Sequence, residues 1–532
     1  MTRATEVFEL RDLRTEHGRG LGPHWGPGSL YLWHRDVMKT KMHIAFDNSY
    51  SRLPARFFER QLPIPVNQPR LIRVNRALAI SLGIDPDWLA SEAGVQVISG
   101  NVVPAGADPI AMAYAGHQFG HWNPQLGDGR AILLGEVVTP AGDRFDFQLK
   151  GSGRTHFSRG GDGRAPLGPV LREFLVSEAM AALRVPTTRT LAAVTTGERV
   201  IRERSTPAGV LVRIAQSHIR IGTLQFFASR GDEEGLRILV EHVMERHFPA
   251  ARSAENPLLA MLEEIVARQA ERVAQWQALG FIHGVMNTDN MLLSGETIDY
   301  GPCAFMDVYH PLTVFSSIDH GGRYAYDNQP RIAHWNLLRL AQALLPLLHS
   351  DEERALSAAQ DAVEAFPARF EIAYQRAFAA KLGFSESSDA SRALLEELLA
   401  LMFDAELDFT LTFRRLADLA ADNSAGRASI DALFQLPSAT EPWLRCWRAE
   451  LERRGENRSV IQARMDQANP IFIPRNHLVE AATSAAIERD DFSVFEKLQD
   501  RLQSPHTYEP KLANYAKPPR PHEVVRQTFC GT

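Results

Sequence analysis

Lys150 closes the alternating run Phe145-Asp-Phe-Gln-Leu-Lys150, and Glu173 follows twenty-three residues later. An ammonium at the end of a buried strand needs a carboxylate partner, because a lone charge there is costly to desolvate. As a pair the two can hold and orient a phosphate; otherwise they are a structural ion pair or two unrelated surface charges. A second group lies beyond residue 280, where Phe281-Ile-His283-Gly-Val-Met-Asn-Thr-Asp289-Asn290-Met-Leu-Leu293 precedes Asp299-Tyr-Gly301. The Asn290 amide oxygen and the Asp299 carboxylate, on facing short strands, can share a divalent cation whose remaining ligands are phosphate oxygens and water. These residue types in this order point to metal-dependent handling of a nucleoside triphosphate.

The order also matches that of protein kinases, which place a strand lysine, a helix glutamate, a histidine-to-asparagine loop and an Asp-Phe-Gly in succession. His283 to Asn290 keeps the spacing of seven, and Asp299-Tyr300-Gly301 stands for Asp-Phe-Gly. Two residues after the histidine, where a kinase carries its catalytic aspartate, this chain has Val285, which can neither orient nor deprotonate a hydroxyl. Asp289 is the carboxylate left in the loop, either a proton acceptor or a residue that caps the loop or helps to hold metal.

Two copies of Gly-Asp-Gly-Arg, at 127–130 and 161–164, flank Lys150. Glycines let backbone amides approach phosphate oxygens and a neighbouring guanidinium can bind them in a bidentate manner, although Asp-Gly by itself is also a common tight turn. Arg213 and Arg220 add to the count. Four or five arginines around one lysine exceed what a γ-phosphate in a kinase pose requires, which points to an unusual pose of the triphosphate. His117 and His121 have the spacing of a zinc helix, but Gln118 replaces the glutamate such a site needs and Gly120 disfavours the helix. Cys303 reads as a packing residue and Cys530, third from the end, as a candidate redox handle.

These groups need a scaffold. Between residues 46 and 228 the runs at 131–138, 145–150 and 209–214 read as strands of one sheet, with a helix over 167–183 between the second and third. After 229 the texture is helical: Asn256-Pro257 starts a helix that Gly280 ends, and 331–348, 394–403 and 479–487 behave alike. The expectation is an α+β chain with a bilobal, protein-kinase-like fold, its smaller mixed N-lobe over 46–228 and its larger helical C-lobe over 229–503. Residues 1–45 read as a disordered extension, with Met38 or Met42 as an alternative start, and 504–532 as a proline-rich tail draped over a surface or left mobile. A formal charge of −6 argues against non-specific binding to nucleic acid or anionic lipid, and no apolar run is long enough to span a membrane. Three scattered cysteines and no secretory signal place the chain in a reducing compartment, the cytoplasm, and a monomer is expected.

Tyr114-Ala-Gly-His-Gln-Phe-Gly120, Pro124-Gln-Leu-Gly-Asp-Gly-Arg-Ala131, Leu149-Lys-Gly-Ser-Gly-Arg-Thr155, Gly161-Asp-Gly-Arg-Ala165 and Asp299-Tyr-Gly-Pro-Cys-Ala-Phe-Met-Asp307, with the His283–Asn290 loop, resemble the signature blocks of the selenoprotein O family. That family comprises kinase-fold pseudokinases that act as protein adenylyltransferases. The resemblance, from about residue 46 to the end, implies ATP bound in a flipped pose, with AMP passing to a protein Ser, Thr or Tyr hydroxyl and pyrophosphate leaving. It implies that Gly127, Gly129, Arg130, Lys150, Asp162, Gly163, Arg213 and Arg220 hold the nucleotide and that Glu173 braces Lys150. It also implies that Asn290 and Asp299 bind Mg²⁺ or Mn²⁺ and that Asp289 accepts the proton. Where some members carry selenocysteine third from the end, this chain has Cys530. The alternatives are a kinase-like phosphotransferase and a catalytically inactive ATP-binding scaffold, the latter disfavoured because it would not need both Asn290 and Asp299.

Overall fold

The computed structural model describes residues 44–421 and 429–529. Residues 1–43, most of the expected extension, and Cys530 lie outside the described residues. The fold is mixed α/β, with an antiparallel sheet in the first half of the chain and mostly helices in the second. The sheet runs in the order Phe58–Arg60, Ile110–Met112, Ala131–Val138, Arg144–Lys150, Ser205–Ala215, Arg189–Ile201 and Arg70–Val74, and Ala165–Pro166 adds to Ser205–Ala215. The three strands expected from the sequence are present, the third longer at both ends. Arg189–Ile201 was not expected: Leu191 to Val194 are buried on both faces, so the strand shows no alternation.

Alternation on the central strand Arg144–Lys150 decides where chemistry can sit. Phe147 and Leu149 join an apolar layer with Ile132, Val212 and the short helices Arg76–Ser81 and Glu92–Ile98. The period of two therefore sends Asp146, Gln148 and Lys150 to the other face, where all three are also buried. Buried polar groups persist only when partnered, and on this face they are.

The helix Leu167–Ala182 covers that face. Leu171, Phe174 and Leu175 pack with Ala193 and Leu211 of the sheet, and with Val479, Phe495 and Leu498 of the helices Asn476–Arg489 and Ser493–Leu502. Two helices from near the end of the chain thus complete the burial of the one that carries Glu173. The helix Pro257–Leu279 begins as expected, with the Asn256 side chain accepting from the Leu259 N–H at 3.1 Å, and Gly280 ends it at φ +67°. It runs directly into Phe281–Ile282, which pairs with Ala304–Phe305, so the loop bearing Asp289, Asn290 and Asp299 hangs from a closed ladder. The largest apolar cluster crosses the expected boundary at 228/229, joining Phe57 and Ile110 to Ile221, Leu262 and Leu337. In the described part of the tail the Thr528 hydroxyl donates to the Pro302 carbonyl at 2.5 Å and its N–H to that of Phe315 at 2.7 Å. Among the described residues no helix is long and apolar enough to cross a membrane.

Candidate active site

A cavity of about 680 Å³ is lined by Gly127, Gly129, Arg130, Lys150, Asp162, Gly163, Arg213, Arg220, Asp289, Asn290 and Asp299. Of the residues selected from the sequence, Glu173 stands behind the wall and reaches the cavity through Lys150.

Lys150 Nζ bonds Glu173 Oε2 and lies 3.5 Å from an Asp299 oxygen. The other Glu173 oxygen accepts from Arg213, through Nε at 2.8 Å and Nη2 at 2.5 Å. Gln148, paired with Arg213 across the ladder, accepts from its Nη1 at 3.3 Å. Arg172, beside Glu173 on the helix, donates to the carbonyls of Gly301 at 3.0 Å and of Cys303, fastening the helix to the segment after Asp299. Burial would raise both carboxyls. Arg213 and Lys150 outweigh it at Glu173, and Lys150, Arg130 and Arg213 do so at Asp299, so both lie below the usual carboxylate range. Burial in turn draws Lys150 below the ordinary lysine range despite the nearby carboxylates.

His283 sets the loop. Its Nε2 donates to the Ile298 carbonyl at 2.8 Å while Nδ1 accepts from the Val285 N–H at 3.3 Å, which requires the neutral Nε2–H tautomer. The Val285 carbonyl accepts from Asn290 Nδ2 at 3.1 Å, leaving Oδ1 as the amide atom for a cation. Asp299 adopts φ +67°, a left-handed conformation uncommon for a residue with a side chain and frequent where strain serves function. Asn290 and Asp299 offer hard oxygens of the kind Mg²⁺ and Mn²⁺ prefer. Among the described residues no group of three or more His, Cys, Asp or Glu forms a metal site.

Asp289 is buried, with Oδ2 accepting from Gln118 Nε2 at 3.0 Å and Oδ1 without a hydrogen-bond partner among the described residues. Burial lifts its carboxyl to about 6 against the pull of Gln118 and Arg220. Arg220 donates to the Asp289 carbonyl at 3.0 Å, stacks 4.2 Å over the Tyr114 ring and reaches Asp128 at 3.4 Å. Sequence reasoning passed over Asp128. It is buried and accepts from the Met112 N–H at 3.2 Å and from Gln148 at 3.3 Å, joining the first glycine loop to the sheet and to Arg220. Its membership of the same four-residue motif as Asp162 was the signal available. Asp162 instead accepts from the Arg164 N–H at 2.9 Å and pairs with Arg202 at 2.8 Å. His117 and His121 lie on a hairpin, Gly116–Gln118 against His121–Asn123, so the zinc-helix pattern is not a helix at all. Cys303 is buried and packs in the large apolar cluster.

The family model described as "Protein adenylyltransferase SelO" matches residues 40–503. A Methylorubrum extorquens protein named "Protein nucleotidyltransferase YdiU" is 57% identical over 492 residues, 92% of this chain and 99% of the relative. Proteins of the same name from Rhodopseudomonas palustris and Bradyrhizobium diazoefficiens are 56% identical over 491 residues, 92% of this chain and 100% of each relative.

Proposed function

The chain belongs to the SelO family of protein adenylyltransferases, and on that premise we propose that it moves AMP from ATP to the hydroxyl of a protein serine, threonine or tyrosine. The observation that carries the reading is the setting of Asp289. A buried carboxylate with one unpartnered oxygen shares a cavity with Lys150 and Asp299, while valine stands at 285 where a kinase would have its base.

Lys150, braced by Glu173, binds phosphate oxygens together with Arg130, Arg213 and Arg220, and Gly127, Gly129, Asp162 and Gly163 shape the loops around the nucleotide. Asn290 and Asp299 would hold Mg²⁺, or Mn²⁺ in its place, and the cation when bound would neutralise phosphate charge. With ATP turned so that its α-phosphorus faces the acceptor, the hydroxyl oxygen attacks that phosphorus. The new O–P bond forms as the bridging P–O bond to the β-phosphate breaks. Pyrophosphate leaves with the bonding electrons, and the hydroxyl proton passes to Asp289 Oδ1.

The arrangement we assign around this site is that of a protein kinase, with an N-lobe over 46–228 and a C-lobe over 229–503, to which the extension 1–45 and the Cys530 tail are appended. The protein works as a cytoplasmic monomer, with ATP and acceptor proteins as partners. Asp289→Ala should lower kcat for transfer by about a hundredfold or more while ATP affinity stays within about twofold, as loss of a proton acceptor requires. Wild-type kcat in that variant would remove Asp289 from the role. Val285→Asp should not yield a good kinase if the nucleotide is turned, and strong γ-phosphate transfer by it would argue against the pose.

A further inference from the structure

The stretch His117-Gln-Phe-Gly-His121 resembles a zinc site in sequence, and the proposed transfer gives it no task. In the structure three successive hairpin residues grip three successive loop residues. The His117 N–H donates to Thr288 Oγ1 at 2.7 Å, Gln118 Nε2 to Asp289 Oδ2 at 3.0 Å, and the Phe119 N–H to Asn287 Oδ1 at 3.0 Å. The hairpin is itself held, since Gln225 bonds His117 Nδ1 at 3.0 Å and the Gln118 side-chain oxygen Oε1 accepts from Asn123 Nδ2 at 3.4 Å. Its turn passes through Phe119 at φ +52° and Gly120 at φ +85°, and Phe119 packs on Tyr324 with ring centroids 5.1 Å apart. Gln118 and Phe119 also line the cavity.

We infer that Gln118 is a positioning residue for the transfer, its amide holding one Asp289 oxygen so that the other is presented to the acceptor hydroxyl. The inference rests on the proton-acceptor reading of Asp289. A carboxylate turns freely about its last torsion and its two oxygens are equivalent, so one fixed donor is enough to set its plane. Leaving the second oxygen buried without a donor is costly unless a ligand supplies the hydrogen. A Cβ at Gly116 would lie 2.9 Å from Oδ1, so glycine there lets the hairpin lie close against Asp289. An amide suits the task better than a cation would, because it orients the carboxylate without an added charge to hold off the proton.

The test uses the full chain and steady-state transfer of label from α-labelled ATP to one fixed acceptor protein, with ATP affinity measured separately. Gln118→Met keeps length and packing but removes the donor. It should lower kcat about tenfold or more, the scale of one hydrogen bond to a charged group, with ATP affinity within about twofold. Gln118→Glu, which sets like charges together, should lose at least as much. Trp122→Ala on the same hairpin should stay near wild type. In an Asp289→Ala background Gln118→Met should cost nothing further, because its effect runs through that carboxylate. Full kcat in Gln118→Met, a loss that persists undiminished in the Asp289→Ala background, or a loss confined to ATP binding would each overturn the inference. Wild-type kcat in Asp289→Ala would overturn the proton-acceptor reading and this inference with it, whereas a slow Asp289→Ala beside a fully active Gln118→Met would overturn the inference alone.

Discussion

The two Gly-Asp-Gly-Arg loops line one cavity with the same four residues and are built in opposite ways. In the first, everything turns inward. Gly127 sits at φ +110° with the Phe157 ring against it, the Gly129 carbonyl takes the Ser158 hydroxyl, and Asp128 is buried among three donors. In the second, Asp162 is 44% exposed at its side chain and tied to Arg202, while Arg164 bonds the carbonyls of Ile64 and Pro65 and Glu198 at 3.2 Å. A motif of this length specifies a turn that suits phosphate; the sheet beneath it decides whether its aspartate is buried among donors or left part-exposed.

The widest separation should appear in stability. Asp128→Ala leaves Arg220 without its carboxylate and two donors without an acceptor, and should cost about 3 kcal/mol in urea unfolding. Asp162→Ala breaks a largely exposed pair and should cost under about 1 kcal/mol. The glycines come next. Gly127→Ala would put a Cβ 2.6 Å from Phe157 Cδ1, and closer still to Cγ, at a φ that alanine avoids, for about 2 kcal/mol. Gly161→Ala meets just the Ser158 carbonyl at 3.0 Å and should stay within about 0.5 kcal/mol. Arg130→Ala should raise KM for ATP about tenfold, or about 1.4 kcal/mol, through loss of a phosphate contact. Arg164→Ala, already engaged by protein groups, should leave KM nearly unchanged; an equal rise in both would erase the contrast between the loops.

The smallest effects are titrations of opposite sign. Burial, against the pull of Arg220, raises the Asp128 carboxyl in the folded protein, so its contribution is favourable below the ordinary value of 3.8 and is lost as pH rises through the raised one. The Arg202 hydrogen bond, against the cost of burial, lowers Asp162, whose contribution is present above 3.8 and lost as pH falls through the lowered value. Relative to wild type, Asp128→Asn should therefore gain stability as pH rises above about 4, and Asp162→Asn should lose it as pH rises through the acid range. Differences of about 1 kcal/mol or less are expected in unfolding curves taken across pH. Parallel slopes would contradict the assignment of one buried and one exposed aspartate.

What was legible in the chain was whatever residue type and spacing carry by themselves. Lys150, Glu173, Asn290 and Asp299 follow one another at recognisable intervals, and the Asn256 and Gly280 caps bound the helix before the loop. Gln118 and Arg172 were not legible, because each acts through a partner far off in sequence, Asp289 for the one and the carbonyls of Gly301 and Cys303 for the other, and Asp128 showed only as a motif member, its tie to Arg220 being equally distant. Arg189–Ile201 escaped because burial on both faces removes the alternation that marks a strand. The cover of the Glu173 helix by 476–502 is a pairing of two apolar surfaces, and periodicity shows such a surface without naming its mate.

The central claim is the transfer of AMP, and the measurement that meets it most directly is label transfer onto protein from α-labelled against γ-labelled ATP in Mg²⁺ or Mn²⁺, with Asp299→Ala as control. Label from the α position alone, lost in Asp299→Ala, is the predicted result. Label from the γ position alone would make the chain a phosphotransferase, and neither label with ATP still bound would make it a scaffold; either would contradict the account.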